Sequence, residues 1–259
     1  MWKMVFDSVR GVSHVQLDAP CQDACRALQL SYDEHELLLI ACADGAGSAA
    51  QSDVGSALAC DKLVDCVQRH AMSQSFLSSV NQEMVTEWVR EIKSCIEERA
   101  ADLNVRSRQL ATTLLVALIG DDDAVFFQIG DGAILARSGD EFRVVFWPQS
   151  GEYANTTNFI TDDEVENKLV FEKYAGQVSE CVMFTDGLER LILQFEGKTV
   201  HRPFIEPMLS RMRQSATADC FFQPLRQFLD SAAINERTDD DKTLVLATRL
   251  VHEDDEPLS

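Results

Sequence analysis

The sequence is poor in basic residues and has no long hydrophobic run. Its 259 residues include 23 Lys and Arg against 43 Asp and Glu, giving a formal net charge of −20. This charge disfavours sequence-independent binding to nucleic acid or to an anionic membrane and favours cations as ligands. No apolar stretch approaches the roughly 20 residues that cross a bilayer, and no charged stretch followed by an apolar segment begins the chain. We therefore expect a cytoplasmic protein that binds neither nucleic acid nor membrane.

Paired cysteine motifs are also absent, and the five histidines are scattered. The eight cysteines lack the two-residue spacing of zinc sites and mostly lie in apolar surroundings. Cys21 and Cys25 are close enough for a redox or metal pair, but no second cluster of ligands accompanies them. Buried thiols are therefore the favoured interpretation.

Hydrophobic residues make up 46% of the chain, enough for a full core, and no repeat or low-complexity linker divides it. Short apolar segments at 3–9 and 36–43 predict strands, and the pattern from 52 to about 72 predicts a helix. A second helix is indicated by helical spacing of apolar residues, namely Val85, Trp88, Val89, Ile92 and Ile96. We expect these two helices to lie side by side over a sheet.

The strongest strand signal lies in residues 111–147. Four β-branched or aromatic runs are separated there by "GDDD", "GDG" and "SGDE", which predicts an antiparallel meander. The polar segment 148–167 that follows is interpreted as a long surface loop.

The second half of the chain predicts strands at 168–172 and 180–184 and a strand-to-helix junction at "TDGLERLILQF". Two further helices are expected at about 203–212 and 221–233, before a last strand that follows "ERTDDDK". A short acidic tail occupies 252–259. These elements predict one α+β domain over residues 1–259, with helices packed outside antiparallel strands.

Aspartates stand at strand boundaries throughout the chain: Asp44, Asp131, Asp186 and the run 239–241, with Gly45, Gly132 and Gly187 beside the first three. Strand ends converge in space, and several short carboxylates at a sheet edge suit hard cations such as Mg²⁺ or Mn²⁺. The glycines are interpreted as leaving room for ions, water or phosphate. Taken singly, each Asp-Gly pair is more often a hairpin turn than a ligand.

The joint order of "CQDA", "ADGAG", "GDGAIL", "FTDGL" and "DDKTLVL" outweighs that alternative. Over residues 11–245 the sequence resembles the metal-dependent type 2C protein serine/threonine phosphatases, and "GEYANTTNF" resembles a bacterial branch of that family. The resemblance implies a four-layer α-β-β-α fold around a central antiparallel β-sandwich. It also implies two, or three, Mn²⁺ or Mg²⁺ ions, and a variable flap at 148–167.

The resemblance implies roles for individual residues. Asp44 would bridge two metals and Gly45 would offer its carbonyl oxygen to one of them. Asp186 and Asp240 would bind the other metal, and Asp131 would help to bind a third, weaker one. Asp23 would coordinate directly or hold a metal-bound water, and the catalytic set is therefore Asp23, Asp44, Asp186 and Asp240.

Four positions depart from the family pattern. Gln22 replaces a metal-binding glutamate, and Ala46 stands where some members have a histidine proposed as the general acid. His14 falls where the family places the arginine that binds the substrate phosphate, so His14 is a candidate phosphate ligand. The alternative for His14 is a partly buried strand residue bonded to a neighbour. Asp241 replaces the usual asparagine and adds negative charge near the metals.

The function implied is hydrolysis of phosphoserine and phosphothreonine in proteins by a water that two ions activate, in a monomer that opposes a serine/threonine kinase. A cysteine-based phosphatase is excluded because Cys181 has no arginine at the needed distance. Two alternatives stay open. One is a pseudophosphatase that acts as a binding module, and the other is a phosphatase of small metabolites.

Overall fold

A computed structural model describes residues 1–32, 35–71, 76–148 and 157–250. The strands are β1 (Trp2–Val9), β2 (Ala24–Tyr32), β3 (His35–Ala43), β4 (Leu114–Ile119), β5 (Asp123–Ile129), β6 (Ala133–Ser138), β7 (Glu141–Val144), β8 (Val170–Ala175), β9 (Glu180–Phe184), β10 (Leu193–Gln194), β11 (Thr199–Val200) and β12 (Lys242–Arg249). The helices are α1 (Val12–Gln16), α2 (Ser52–His70), α3 (Phe76–Ser79), α4 (Gln82–Asp102), α5 (Glu189–Ile192), α6 (Arg202–Gln214), α7 (Phe222–Leu229) and α8 (Ala232–Asn235).

Ten of these strands form two five-stranded antiparallel sheets that pack face to face. The strand order is β2-β3-β4-β5-β8 in the first sheet and β1-β12-β9-β6-β7 in the second. Helices α2 and α4 cover the outer face of the first sheet, and α6 and α7 cover that of the second. The four-layer α-β-β-α architecture predicted from the sequence is therefore confirmed, including the side-by-side packing of α2 and α4 over a sheet.

Strand β3 shows why the sheets form the centre of the molecule. Every residue from Leu37 to Ala43 is fully buried, because alternate side chains face opposite layers. Leu37 and Leu39 pack against the helices, whereas Leu38 and Ile40 pack between the sheets. This burial on both faces explains the continuous apolar run of the strand.

The predicted meander at 111–147 is wrong in its connectivity. β4 and β5 pair in the first sheet, but β6 and β7 pair in the second. The "GDG" segment is thus a crossing between the sheets rather than a hairpin turn. Gly130 and Gly132 adopt φ angles of 97° and 85°, a left-handed backbone that favours glycine.

Several element boundaries also differ from the prediction. Strand β2 and helix α1 were not predicted, and the helix expected at 221–233 is divided into α7 and α8. The junction after Asp186 opens only the short α5, after which the chain forms β10. Part of the predicted flap, residues 149–156, and the acidic tail lie outside the described residues. The rest of the flap region packs inward, with Ile160 and Val165 buried.

All eight cysteines are free thiols, and the prediction of buried thiols is confirmed for five of them. It is wrong for Cys220, which is exposed, and Cys21 and Cys95 are only partly buried. No helix in the described ranges combines the length and apolar character needed to cross a bilayer.

Candidate metal centre

The predicted aspartates lie where the two sheets meet at one edge. Asp44 follows β3 in the first sheet, whereas Asp186 follows β9 and Asp240 precedes β12 in the second sheet. Asp131 lies on the crossing between β5 and β6. Residues far apart in the sequence are therefore brought to one place by the strand order.

Three of these side chains form a compact cluster. Asp44, Asp131 and Asp186 each present a carboxylate oxygen, and the three oxygens lie within 4.8 Å of one another. All three residues are partly exposed, so the cluster is open to solvent and to a substrate. Such a spacing of oxygen ligands fits the coordination of a hard divalent cation.

The electrostatics of the cluster also favour a cation. Burial raises the pKa of Asp44 well above its usual value, and the neighbouring Asp23 and Asp186 raise it further. Burial likewise raises the pKa of Asp186 to about 6, with Asp131 and Asp240 adding repulsion. Carboxylates held together in this way repel one another until a cation neutralises them.

The backbone around Asp44 is fixed by two threonines of the segment before β4. The hydroxyl of Thr113 accepts a hydrogen bond from Asp44 N at 2.9 Å, and the hydroxyl of Thr112 donates to Asp44 O at 3.0 Å. The neighbouring Gly45 is buried, and no donor among the described residues reaches its carbonyl oxygen. This unpaired oxygen fits the predicted role of Gly45 as a main-chain ligand.

The structure gives the glycines a further reason, beyond the sequence interpretation. A Cβ on Gly187 would lie 2.0 Å from the carbonyl oxygen of Asp241, and one on Gly45 would lie 2.7 Å from that of Gln22. Both glycines therefore make room for neighbouring chain segments, a reason that the sequence interpretation did not include.

Asp23 lies behind the cluster and is buried. The hydroxyls of Thr185 and Thr243 both donate to Asp23 Oδ2 at 2.8 Å. Burial raises the pKa of this carboxyl group, while the two hydroxyl groups lower it. No hydrogen bond among the described residues involves Asp23 Oδ1.

The loop that carries Asp131 is held from both sides. Glu189 accepts a hydrogen bond from Gly132 N at 2.8 Å, and the side-chain amide of Gln128 donates to the carbonyl oxygens of Gly130 and Gly132. Burial raises the pKa of Glu189 to about 7. These contacts fix the backbone on both sides of Asp131.

Asp240 lies beside the cluster but is not one of the three residues whose oxygens fall within 4.8 Å. Its carboxylate accepts a hydrogen bond from Asp241 N at 2.8 Å and is a cause of the raised pKa of both Asp44 and Asp186. Asp240 therefore borders the cluster on its exposed side.

His14 lies on helix α1, not on a strand, and its side chain is 12% exposed. Its Nδ1 atom lies 2.8 Å from Oδ1 of Asp241. The Asp241 carboxylate also accepts hydrogen bonds from Gly11 N and Gln22 N. Two departures from the family pattern, His14 and Asp241, are thus in contact with each other.

Sequence reasoning missed the residues that support the aspartates. They include Thr112, Thr113, Thr157, Thr185, Glu189 and Thr243. Each of them except Thr157 lies next to or within a few residues of a motif aspartate or of a strand that pairs beside one, which is a signal that could have found them. The sequence does not indicate the contact of Glu189 with Gly132, because the two residues are distant in the chain.

Comparisons with known proteins agree with this geometry. The Protein phosphatase 2C family matches residues 10–230. Serine/threonine-protein phosphatase 3 of Escherichia coli strain K12 is 34% identical over 250 residues, which cover 95% of this chain and 98% of that protein.

Two solved structures share the fold. Stp1 from Staphylococcus aureus, a serine/threonine phosphatase, has a TM-score of 0.61 and 16% identity over 97% of this chain and 96% of its own. The catalytic domain of the serine/threonine protein phosphatase PstP, in complex with two manganese ions, has a TM-score of 0.60 and 16% identity over 97% and 100%. The extent of the family match and the identity to the E. coli protein show that this chain belongs to the protein phosphatase 2C family.

Proposed function

We propose that this protein is a Mg²⁺- or Mn²⁺-dependent protein serine/threonine phosphatase that hydrolyses phosphomonoesters. The observation that carries the proposal is the convergence of Asp44, Asp131 and Asp186 within 4.8 Å. The named serine/threonine phosphatase at 34% identity supports the substrate class. The pseudophosphatase alternative is not favoured, since every aspartate of the predicted metal set is present.

The ligands proposed for the ions are the three clustered aspartates, the carbonyl oxygen of Gly45 and the bordering carboxylate of Asp240. The chemistry of this donor set, all oxygen and mostly anionic, suits Mg²⁺ and Mn²⁺ better than soft metals. When bound, two such ions lower the pKa of a water between them and stabilise the charge that develops on the phosphoryl group.

Asp23 is proposed to orient the attacking water. Its Oδ2 atom is occupied by the hydroxyls of Thr185 and Thr243, which leaves Oδ1 to accept a hydrogen bond. This arrangement fixes the carboxylate in one rotamer, and a fixed acceptor positions a water molecule more strongly than a mobile one.

His14 is proposed to contact the substrate phosphate in place of the arginine of other members. The contact of its Nδ1 with the buried Asp241 supports a fixed ring orientation. An imidazole offers fewer donors than a guanidinium and binds phosphate best when protonated.

The proposal further includes the setting of the enzyme. It is a cytoplasmic monomer with one catalytic domain, and its substrates are targets of an opposing serine/threonine kinase. The packed interior shared by the two sheets supports one domain.

The test uses the purified protein with Mn²⁺ and p-nitrophenyl phosphate, followed by phosphoserine and phosphothreonine peptides. Asp44→Ala and Asp186→Ala are expected to abolish turnover while circular dichroism shows a folded chain. Absence of turnover in the unmodified protein, or retention of turnover in both variants, would overturn the proposal. Turnover of p-nitrophenyl phosphate and small metabolites without any phosphopeptide would instead identify a metabolite phosphatase.

A further inference from the structure

A second concave surface lies outside the metal centre, where α6 packs against α7 and α8. Two cavities of about 160 and 450 Å³ open there. Met208, Arg211 and Phe228 line both cavities, so the two form one continuous groove. The rest of its lining is mostly apolar and includes Leu191 and Ile234. We refer to this surface as the α6–α7 groove.

The charge of the α6–α7 groove is opposite to that of the whole protein. Its charged lining residues are Arg211 and Arg237, and no acidic residue of the described chain lines either cavity. Asp and Glu nevertheless outnumber Lys and Arg by 43 to 23 in the sequence. A cationic and apolar groove on an acidic protein complements a ligand that carries carboxylates beside apolar side chains.

The side chains of Arg211 and Arg237 also differ from those of other arginines on α6 and α7. Arg213 on α6 pairs with Glu180 and Glu206, and Arg226 on α7 pairs with Asp7. In the described parts of the chain, neither the Arg211 nor the Arg237 side chain has an ion pair or hydrogen bond. The two guanidinium groups that line the groove therefore have no partner within the described chain.

Two lining residues of the groove lie on chain segments that adjoin the motif aspartates. Leu191 lies on α5, which begins three residues after Asp186, and Arg237 lies in the segment that joins α8 to Asp240. A peptide held in the groove would therefore run toward the two segments that carry these aspartates.

We infer that the α6–α7 groove binds an acidic, leucine-rich segment of the phosphoprotein substrate, with apolar side chains against Met208 and Phe228 and carboxylates at Arg211 and Arg237. This inference rests on the proposed phosphatase function and specifies its substrates as proteins with such a segment beside the phosphoserine. Apolar anchors surrounded by charge pairs are the usual anatomy of a peptide-binding groove.

The experiment compares a plain phosphoserine peptide with the same peptide extended by alternating Leu and Glu residues. The extension is tried on either side of the phosphoserine. The extended peptide is expected to have a KM about tenfold lower. Arg211→Glu and Arg237→Glu are each expected to raise this KM about fivefold, as for a partly exposed charge pair, and to leave turnover of p-nitrophenyl phosphate unchanged. The matched control is Arg99→Glu on α4, an exposed arginine on the opposite layer, which is expected to change neither.

A separate measurement makes the test independent of catalysis. The Leu-Glu extension, without phosphoserine and with a fluorescent label, is titrated with the full chain, and its anisotropy is expected to report binding that both arginine variants weaken. If p-nitrophenyl phosphate is hydrolysed but neither KM nor anisotropy responds to the extension, the groove assignment is wrong and the proposed function stands. If binding is seen without any phosphatase turnover, the proposed function fails and the groove assignment stands.

Two further experiments distinguish other occupants of the groove, namely the acidic tail of this chain and a lipid surface. Binding of the labelled extension only after removal of residues 251–259 would assign the groove to the acidic tail of this chain and overturn the inference. Sedimentation with phosphatidylserine vesicles that is lost in Arg211→Glu and Arg237→Glu, with no peptide binding, would overturn it in favour of a lipid surface.

Discussion

The two ends of strand β9 each carry a cluster of acidic side chains, but the clusters are neutralised in different ways. At the beginning of the strand, Glu180 pairs with Arg137 and Arg213, and the nearby Glu206 pairs with the same two arginines. At the end of the strand, Asp186 joins Asp44 and Asp131, and the charged groups that act most strongly on Asp44 are all carboxylates.

The pKa values record this difference. Partial burial raises the pKa of Glu206, but hydrogen bonds from Arg213 and Arg137 outweigh it, so that the pKa lies below its usual value. Burial and mutual repulsion raise the pKa of Asp44 and Asp186. The first cluster is complete within the chain and stabilises the fold, whereas the second is incomplete and requires ions from solution.

Replacing an aspartate of the second cluster is expected to have the largest effect, and that effect is on catalysis. Asp44→Asn or Asp186→Asn should lower Mn²⁺-dependent phosphatase activity about 1,000-fold or more, because each removes a ligand and a charge from the ions. The metal-free variants should unfold at the same urea concentration as the unmodified protein or at a higher one, since the repulsion is relieved. A metal-free variant that unfolds at a much lower urea concentration than the unmodified protein would contradict the interpretation that these carboxylates repel one another.

At the beginning of β9, a substitution is expected to change stability and to leave catalysis unchanged. Glu180→Gln should lower the free energy of unfolding by about 3 kcal/mol, because it removes the buried negative charge that pairs with both Arg137 and Arg213. The kcat for p-nitrophenyl phosphate should be unchanged at temperatures where the variant is folded. Urea denaturation and initial rates measure the two effects, and a loss of kcat would mean that this cluster also serves the active site.

A smaller effect is expected from the hydroxyl groups that hold Asp23. Thr243→Val removes one of its two donors and should cost about 1–2 kcal/mol of stability and weaken Mn²⁺ binding about tenfold. Thr248→Val is the matched control, because Thr248 is buried in the same strand and its hydroxyl has no hydrogen bond in the described chain. Calorimetric Mn²⁺ titration of both variants checks the prediction. Equal Mn²⁺ affinities of the Thr243→Val and Thr248→Val variants would contradict it.

The smallest effect concerns pH. Folding raises the pKa of Asp186 from 3.8 to about 6, so its contribution to the stability of the metal-free protein is present below about pH 4 and is lost as the pH rises through 6. Mn²⁺ binds the ionised form, and the increase in Tm caused by Mn²⁺ should therefore grow between pH 5 and pH 8. Differential scanning fluorimetry at fixed Mn²⁺ measures this increase. An increase in Tm that is the same at pH 5 and at pH 8 would show that these carboxyl groups do not bind the ion.

Much of the architecture was predictable because its signals are local. The apolar run of β3 and the helical spacing of α4 depend only on neighbouring residues, and both elements lie where the sequence placed them. The division of residues 111–147 between two sheets was not predictable, since a turn sequence such as "GDG" fits both a hairpin and a crossing. Strand β2 was missed because its short apolar run is interrupted by Arg26, which pairs with Asp61 on α2.

In the candidate site, too, the features with local sequence signals were predictable and those that depend on distant residues were not. Asp44, Asp131 and Asp186 were identified from motifs at strand ends, and the structure brings them together. The placement of Asp240 at the border and the contact of His14 with Asp241 depend on side-chain directions that a motif does not contain. The close approach of other backbone segments to Gly45 and Gly187 was not predictable, because those segments come from distant parts of the chain.

The amino-acid sequence by itself determined which residues are available to bind cations and which segments form the buried strands, since both follow from residue type and short-range spacing. Only the tertiary structure decided which acidic residues would meet arginines and which would be left to face one another. That outcome depends on how ten strands are ordered in two sheets, and this order results from packing between residues far apart in the chain.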